Sequence, residues 1–390
     1  MLQQQINHSE DIRSLLNEGY EIEVKGGYIC IHHIPYVNSQ KEIKYGTLIS
    51  PFQTLPNSLK IAKPSDHVIH FIGEMPCHVD GKPIRAIEHQ GRHTLSSDFI
   101  ADFSFSNKPK NGFNNFYEKF TSYIKVISYE AISLDETGKV TSKTFKPIKV
   151  IQSETPFVYF DSNSSRARID FLNEKFLGNK IAIVGLGGTG SYILDFVAKC
   201  PVSKIHIYDN DIFESHNAFR TPGAASVDEL SSRFSKVDYL YTIYSKMHSG
   251  IVPHNEIISD KNIHELNEMD FVFICIDRND ARDYITRYLI SKKVPFIDVG
   301  LGINIQDEKL IGATRISYCE QVGSDSNIEN ENEYNSNIQI VEMNAFNAAQ
   351  AVIKWKQHCG FYDGSKNQKS SHFIIANSRI FHHEDNAQVC

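Results

Sequence analysis

The stretch KIAIVGLGGTGSYILDFVA, residues 180–198, decides the fold of the second half of this 390-residue chain. Residues 180–184 form an apolar run of strand length, and residues 191–198 carry apolar side chains at helical spacing. Glycines between a strand and a helix allow a tight turn and let the backbone approach a phosphate, which the helix N-terminus also attracts. The pattern predicts a phosphate-binding turn at Gly185, Gly187, Gly188 and Gly190, and a turn without a ligand is the alternative.

The same strand-then-helix order continues after this turn. Apolar strands are predicted at residues 204–208, 271–276 and 294–299, with a helix at residues 280–291. Ser226 and Glu229 form a capping-box pattern that opens a helix reaching Tyr244. Such alternation indicates a Rossmann-like, doubly wound, mainly parallel sheet in an α/β domain. A strand near residues 313–318 and a helix near residues 345–357 follow.

The first part of the chain has a different pattern. Residues 21–25 and 28–31 alternate around Gly26-Gly27, which indicates a hairpin. Further strands are predicted at residues 67–72 and 123–134, and helices at residues 9–16 and 115–121. We therefore expect two domains: a smaller α+β domain at residues 1–155, of unknown role, and the α/β domain at residues 156–390.

Composition excludes several classes of protein. The formal net charge of -7 argues against broad binding to nucleic acid. The start of the chain does not resemble a secretory signal, and no apolar run reaches the roughly 20 residues that span a bilayer. Seven scattered cysteines indicate reduced thiols and predict a cytoplasmic protein. The sequence has no C-x-x-C pair, so no structural zinc is expected, and the histidines of the first domain match no metal-ligand spacing.

Two aspartates follow predicted strands at positions where nucleotide-binding folds place functional carboxylates. Asp209 closes the second strand of the α/β domain, where a carboxylate accepts hydrogen bonds from ribose hydroxyls, and a nicotinamide-dependent oxidoreductase fits this feature equally well. Asp277 follows the strand at residues 271–276, at the sheet edge where such folds bind ligands. A carboxylate there suits Mg²⁺ held mostly by phosphates and water, and capping the next helix is the alternative.

The run YDNDIFESHNAFR, residues 208–220, resembles the corresponding stretch of ThiF/MoeB-type adenylyltransferases, the superfamily of ubiquitin-activating enzymes. The resemblance places Asp209 on the ribose of ATP, Asn217 near the phosphates and Arg220 on the β- and γ-phosphates. A lysine on the next helix of this family lies beside the α- and β-phosphates. Lys236 matches it, with Arg233 one turn earlier as the alternative.

The resemblance implies further roles. Asp277 would meet Mg²⁺, and an arginine before the first strand would reach the γ-phosphate, often from a partner subunit. Arg166 is favoured for this role, with Arg168 as the alternative. The implied reaction is the ATP-dependent adenylation of the C-terminal carboxylate of a ubiquitin-like protein by a homodimer, with a conjugating enzyme as a further partner. Thioester formation at Cys319 could follow, although Glu320 beside it opposes a thiolate and an ordinary thiol is the alternative.

Other functions stay open at this point. A nicotinamide-dependent oxidoreductase accounts for the glycines and Asp209 but gives Asn217, Arg220 and Asp277 no role. A nucleotide-binding scaffold without activity is a further alternative, as is a ThiF-like enzyme acting on a small-molecule or tRNA carboxylate. The polar segment at residues 323–337 is either a solvated loop or a loop that crosses the active site.

Overall fold

The computed structural model describes residues 9–55, 61–97, 99–147, 155–320, 338–364 and 368–384. The chain divides into two units, one made of residues 1–154 and 159–170 and the other of residues 155–158 and 171–390. The short segment 155–158 joins the second unit through an antiparallel bridge between Phe157 and His248.

The first unit is built on an antiparallel sheet with a long helix on one face. The elements of this unit are α1 (Glu10–Asn17), β1 (Glu21–Lys25), β2 (Tyr28–Val37), β3 (Ile43–Pro51), β4 (Val68–Ile72), β5 (Glu88–Gln90), β6 (His93–Thr94), β7 (Ile100–Ala101), β8 (Phe103–Ser106), α2 (Phe116–Leu134) and α3 (Ser162–Ala167). The strands follow the order β1-β2-β3-β4-β8-β5, and β6 and β7 form a separate small pair.

The predicted hairpin of the first unit is confirmed, but one of its predicted strands is wrong. Residues 123–134 belong to α2, which starts where the side chain of Asn115 accepts a hydrogen bond from the backbone of Glu118 at 2.8 Å. Phe116, Phe120, Tyr123 and Ile127 are buried, which is a period of three to four residues. The aromatic and β-branched residues suggested a strand, yet their spacing suits one helical face.

The second unit contains an eight-stranded sheet. Its elements are α4 (Asp170–Asn173, at the division), β9 (Lys180–Val184), α5 (Gly188–Val197), β10 (Lys204–Tyr208), α6 (Ser215–Ala218), α7 (Val227–Ser231), α8 (Lys236–Tyr244), β11 (Ile251–His254), β12 (Phe271–Ile274), α9 (Asn279–Lys292), β13 (Phe296–Gln306), β14 (Lys309–Cys319), α10 (Val341–His358), β15 (Gln368–Ile374) and β16 (Arg379–Glu384). The strand order is β11-β10-β9-β12-β13-β14-β15-β16. Strands β9 to β13 are parallel, and β14 to β16 are antiparallel to their neighbours.

Both faces of this sheet are buried, which explains why β9 is apolar at nearly every position. Ile181 and Ile183 pack on the face covered by α5, α8 and α10, whereas Ala182 and Val184 face the cluster formed with α9. Because β10 and β12 flank β9 on opposite sides, the chain reverses its winding direction between β9 and β12. That reversal opens a crevice at the carboxyl ends of these two strands, where doubly wound folds bind ligands.

The doubly wound sheet is therefore confirmed, and the main differences lie at element ends. The single helix predicted from Ser226 to Tyr244 is two helices, because Arg233 has a left-handed φ of 51° and Ser235 caps a second start. The capping box at Ser226 and Glu229 is formed as predicted. Residues 323–337 lie outside the described residues. No helix among the described residues is both long and apolar enough to cross a bilayer.

Candidate functional site

The glycine turn joins β9 to α5 at the crevice. Gly185 has a φ of 93°, and a Cβ there would lie 2.7 Å from the carbonyl oxygen of Cys275. A Cβ on Gly190 would collide with the carbonyl oxygen of Gly185. Gly187 differs, since a Cβ there would have no neighbour within 4 Å. Gly185 and Gly190 are thus needed for packing, whereas Gly187 leaves open space beside the uncapped start of α5, where a phosphate can approach.

Asp209 fixes the shape of this turn. Its Oδ2 accepts a hydrogen bond from the backbone N–H of Leu186 at 2.7 Å, and its Oδ1 accepts one from Asp211 at 2.9 Å. The side chain is only 9% exposed. A carboxylate has about four acceptor sites, so both oxygens can still accept hydrogen bonds from a ribose.

Lys236, the first residue of α8, lies next to Asp209. Its side chain is 8% exposed, and its Nζ is 2.6 Å from Asp211 Oδ2 and 3.6 Å from Asp209 Oδ1. The alternative, Arg233, is exposed and lies in the link between two helices. The structure therefore brings Lys236 to the Asp209 carboxylate, and the contact of Lys236 with the α- and β-phosphates stays a prediction.

Asn217 and Arg220 carry buried donors that have no acceptor among the described residues. Asn217 is 1% exposed; its Oδ1 accepts a hydrogen bond from Glu214 at 2.9 Å, but its Nδ2 has no partner in the part of the chain that the structure describes. The Nε of Arg220 is also buried, and no described residue accepts a hydrogen bond from it. Burial lowers the pKa of Arg220, and the nearby carboxylates of Asp277 and Asp211 partly oppose this shift. Buried donors nearly always have acceptors, so this pair suits an anion that the site would bind.

Asp277 stands just beyond β12, beside the glycine turn. The turn packs against the backbone of Cys275 and the side chain of Ile276, which immediately precede Asp277. The N-cap of α9 is Arg278, so Asp277 does not have the capping role considered as its alternative. Asp277 is exposed and interacts electrostatically with Arg220, which places a carboxylate and a guanidinium at the same sheet edge.

The described residues of the site do not form a complete set of metal ligands. Among the described residues, no group of three or more His, Cys, Asp or Glu side chains is arranged to hold a metal ion. Magnesium bound to a nucleotide needs only one or two protein carboxylates, because phosphates and water supply the other ligands. The single carboxylate of Asp277 beside the unpaired donors of Asn217 and Arg220 fits that mode of binding.

Cys319 is not brought to this edge. It pairs with Phe296, the first residue of β13, which in turn pairs with Val272 near the start of β12. Because β14 runs antiparallel to β13, Cys319 lies at the amino edge of the parallel strands. Val272, Phe296 and Cys319 lie side by side across the three strands. Asp277 is five residues beyond Val272, so it lies roughly 15 Å from Cys319 along the strand direction.

Arg166 and Arg168 belong to the first unit by their packing. Arg166 is exposed in α3, and Arg168 follows it with a left-handed φ of 58° and an ion pair to Glu10 at 3.3 Å. Their predicted contact with the γ-phosphate stays a prediction.

The sequence interpretation missed three charged residues close to Asp277. Arg282 from α9 and Arg315 from β14 both contact the carboxylate of Asp298 in β13. Asp298 is completely buried. A carboxylate within the otherwise apolar stretch 294–299 was the signal that could have revealed this cluster.

Comparison with known protein families assigns both parts of the chain. Residues 166–354 match the model of the ThiF family, and residues 10–162 match a domain of unknown function, DUF6791. The chain thus carries a C-terminal ThiF family domain preceded by a DUF6791 domain.

Several curated proteins share sequence with this chain. The SUMO-activating enzyme subunit uba-2 of Caenorhabditis elegans is 26% identical over 131 residues, which cover 33% of this chain and 22% of that protein. The ubiquitin-like modifier-activating enzyme 5 of Drosophila mojavensis is 23% identical over 142 residues, 34% of this chain and 36% of that protein. The ATP-dependent ubiquitin transferase-like protein Cap2 of Vibrio cholerae is 32% identical over 87 residues, 21% of this chain and 14% of that protein. The chain therefore spans about a third or less of the length of these relatives.

Among solved structures, MccB of E. coli aligns with a TM-score of 0.47 and 17% identity, over 57% of this chain and 69% of that one. MccB of E. coli with ATP aligns with a TM-score of 0.47 and 18% identity, over 57% and 71%. At these TM-scores the similarity says nothing about the reaction.

Proposed function

We propose that the ThiF family domain at residues 166–354 uses ATP to adenylate the C-terminal carboxylate of a ubiquitin-like protein. The observation that carries this proposal is a pair of buried donors, Asn217 Nδ2 and Arg220 Nε, for which the described residues offer no acceptor. Arg220 interacts electrostatically with Asp277, which lies beside the open glycine turn. A triphosphate supplies the acceptors that these donors lack.

The reaction needs positioning and charge stabilisation. An oxygen of the acceptor carboxylate attacks the α-phosphorus of ATP, the bond from the α-phosphorus to the oxygen shared with the β-phosphate breaks, and pyrophosphate leaves with that electron pair. The product is an acyl-adenylate. The attacking carboxylate is already ionised, so no general base is required. Arg220 and Asn217 would donate to oxygens whose negative charge grows as the bond breaks, and Lys236 adds a fixed positive charge.

Asp277 would hold Mg²⁺ together with the phosphates, and the ion would neutralise part of the polyphosphate charge. Asp209 would accept hydrogen bonds from the ribose while it holds the glycine turn.

The choice of a ubiquitin-like acceptor rests on the relatives, two of which are named as enzymes that activate SUMO or a ubiquitin-like modifier. The proposal ends at the adenylate, because Cys319 lies at the opposite edge of the sheet. A conjugating enzyme and a second copy of the chain are the further partners that we propose. Acceptance of a small-molecule or tRNA carboxylate is the alternative outcome of the test below.

The test is the exchange of labelled pyrophosphate into ATP in the presence of a candidate acceptor. We expect exchange with an intact ubiquitin-like protein and none with the same protein shortened by its last residue. Arg220→Ala should lower exchange at least a hundredfold, as loss of one donor to transition-state charge typically does. Arg287→Ala, which removes an exposed arginine of α9 with a side chain that is 77% exposed, is the matched control. Exchange that survives Arg220→Ala would refute the assignment.

A binding measurement distinguishes the proposed adenylyltransferase from a nicotinamide-dependent oxidoreductase. If the proposal is correct, ATP with Mg²⁺ raises the thermal unfolding temperature of the protein and NAD does not. The opposite pattern would favour an oxidoreductase. Binding of ATP without exchange by any carboxylate tested would favour a scaffold.

A further inference from the structure

Three charged side chains that the proposed reaction does not use meet beside Asp277. Arg282 Nε lies 3.0 Å from Asp298 Oδ1, and Arg315 Nη2 lies 2.6 Å from Asp298 Oδ2. Asp298 is fully buried, and the two arginine side chains are each 12% exposed. Two guanidinium groups therefore share one carboxylate in a nearly dry environment.

Such a cluster is expensive to bury for stability alone. Removing charges from water costs several kcal/mol for each ion, and apolar replacements of similar volume are often as stable. One positive charge of the cluster is in excess over the single carboxylate. A structural role can account for the pairing, but the remaining bonds of Arg282 point to a more specific role.

Those remaining bonds reach the backbone next to Asp277. Arg282 Nη2 donates to the carbonyl oxygen of Ile276 at 2.6 Å, and Nη1 donates to Asn279 Oδ1 at 3.3 Å. Ile276 directly precedes Asp277, and Asn279 is the first residue of α9. One guanidinium thus bridges Ile276 and Asn279, which flank Asp277 in the connection from β12 to α9.

Asp298 and Arg315 in turn fix Arg282. The Nη1 of Arg315 donates to Ser317 Oγ at 2.6 Å while its Nη2 donates to Asp298, so the carboxylate is oriented from the side of β14. Asp298 pairs with Ile274, the last residue of β12. The cluster therefore joins the end of β12, the part of β13 near Asp298 and the segment of β14 from Arg315 to Ser317 to the start of α9.

We propose that Arg282, held by Asp298, is a positioning residue that sets the Asp277 carboxylate for the divalent metal of the nucleotide. This inference rests on the proposed function. The guanidinium of Arg282 donates to the Ile276 carbonyl and the Asn279 amide oxygen through its two terminal nitrogens, while its Nε side forms an ion pair with the Asp298 carboxylate. The rigid fork of a guanidinium permits these contacts at the same time. Loss of this support should leave the nucleotide pocket intact but weaken its hold on the metal, as loss of groups that orient metal ligands typically does by about 10- to 100-fold.

The test follows Mn²⁺, used as a spectroscopic probe for Mg²⁺, by electron paramagnetic resonance with the full chain and ATP. Calorimetry of ATP binding without a divalent ion and thermal unfolding without nucleotide are measured beside it. We compare the wild type with Asp277→Asn, Arg282→Gln, Arg282→Lys and Arg287→Gln, the last being the exposed control on the same helix.

Arg282→Gln should raise the half-saturating Mn²⁺ concentration about 10- to 100-fold and leave metal-free ATP binding within twofold of the wild type. Arg282→Lys should recover part of the loss, since it keeps a positive charge for Asp298 but cannot reach all three acceptors. Arg287→Gln should match the wild type. If Arg282→Gln fails to fold, Arg282→Lys serves as the test. An increase of at least threefold in its half-saturating Mn²⁺ concentration would then support the positioning role.

Wild-type half-saturation in the folded Arg282 variant, combined with weak Mn²⁺ binding by Asp277→Asn, would overturn the positioning role and leave the proposed function standing. Equal loss of metal-free ATP binding and of Mn²⁺ binding would also overturn it, because the role would then be structural. Absence of ATP-dependent Mn²⁺ binding in the wild type would count against the proposed function itself.

Discussion

Replacing two glycines of the same turn by alanine should separate folding from nucleotide binding. Gly190→Ala places a Cβ against the carbonyl oxygen of Gly185, a backbone atom that cannot rotate away. Overpacking of this kind costs about 3 kcal/mol, and the better helix propensity of alanine returns about 1 kcal/mol. We expect the free energy of unfolding to fall by about 2 kcal/mol.

Gly187→Ala meets no atom within 4 Å, and the φ of -68° at this position suits alanine. Alanine is a poorer N-cap than glycine by about 0.5–1 kcal/mol, while the reduced freedom of the unfolded chain returns about the same amount. The free energy of unfolding should stay within about 1 kcal/mol of the wild type. The new methyl group would, however, occupy the space through which a phosphate approaches, so ATP affinity should fall at least about tenfold, or 1.4 kcal/mol.

Urea denaturation measures the first quantity, and calorimetry with ATP and adenosine measures the second. Adenosine has no phosphate, so its affinity for the Gly187→Ala variant should match that for the wild type. ATP affinity that survives Gly187→Ala, or a Gly190→Ala variant as stable as the wild type, would show that the roles of these glycines have been misassigned.

Two further predictions concern charge. Lys236→Met removes the ammonium group beside Asp209, and we expect a loss of about 1–3 kcal/mol of unfolding free energy in urea denaturation at pH 7; an unchanged midpoint would contradict the contact. Burial lowers the pKa of His248 to about 4, below its unfolded value near 6.5, so the unfolded state binds more protons between these pH values. The part of the stability that depends on neutral His248 should be complete above pH 6.5 and fall by about 3 kcal/mol towards pH 4, so urea midpoints of His248→Gln should show a shallower fall; part of the remaining slope comes from His70 and His206, whose pKa values burial also lowers to about 4.

Much of the second unit could be predicted because its signals are local. The run of residues 180–184 occupies β9 with the same ends in the structure, since a strand buried on both faces is apolar throughout. The glycine turn and the capping box at Ser226 are set by neighbouring residues, and the structure contains both. Asp209 and Asp277 were predicted from strand ends, and they lie at one edge because β10 and β12 are parallel to β9. Arg220 was predicted by resemblance alone.

The failures depend on contacts between distant parts of the chain. Residues 123–134 are rich in strand-forming side chains, but packing of Phe120, Tyr123 and Ile127 on the sheet of the first unit makes them helical. The Arg282–Asp298 contact joins a helix to a strand, and a single sequence gives no pattern for such a pair. Cys319 lies at the amino edge of the parallel strands because β14 runs antiparallel to β13. The local sequence of β14 does not reveal that direction.

Asp209 supports the glycine turn and is also the proposed ribose contact. Substituting Asp209, the usual test of a ribose contact, therefore affects both roles. Because the same carboxylate clamps the Leu186 amide, substituting it would loosen the loop whether or not a sugar is present, and weaker ATP binding by such a variant would not diagnose the hydroxyl contact. Comparing ATP with its 2′- and 3′-deoxy forms on the unaltered protein avoids this confusion, since the alteration then falls on the ligand and the loop keeps its support.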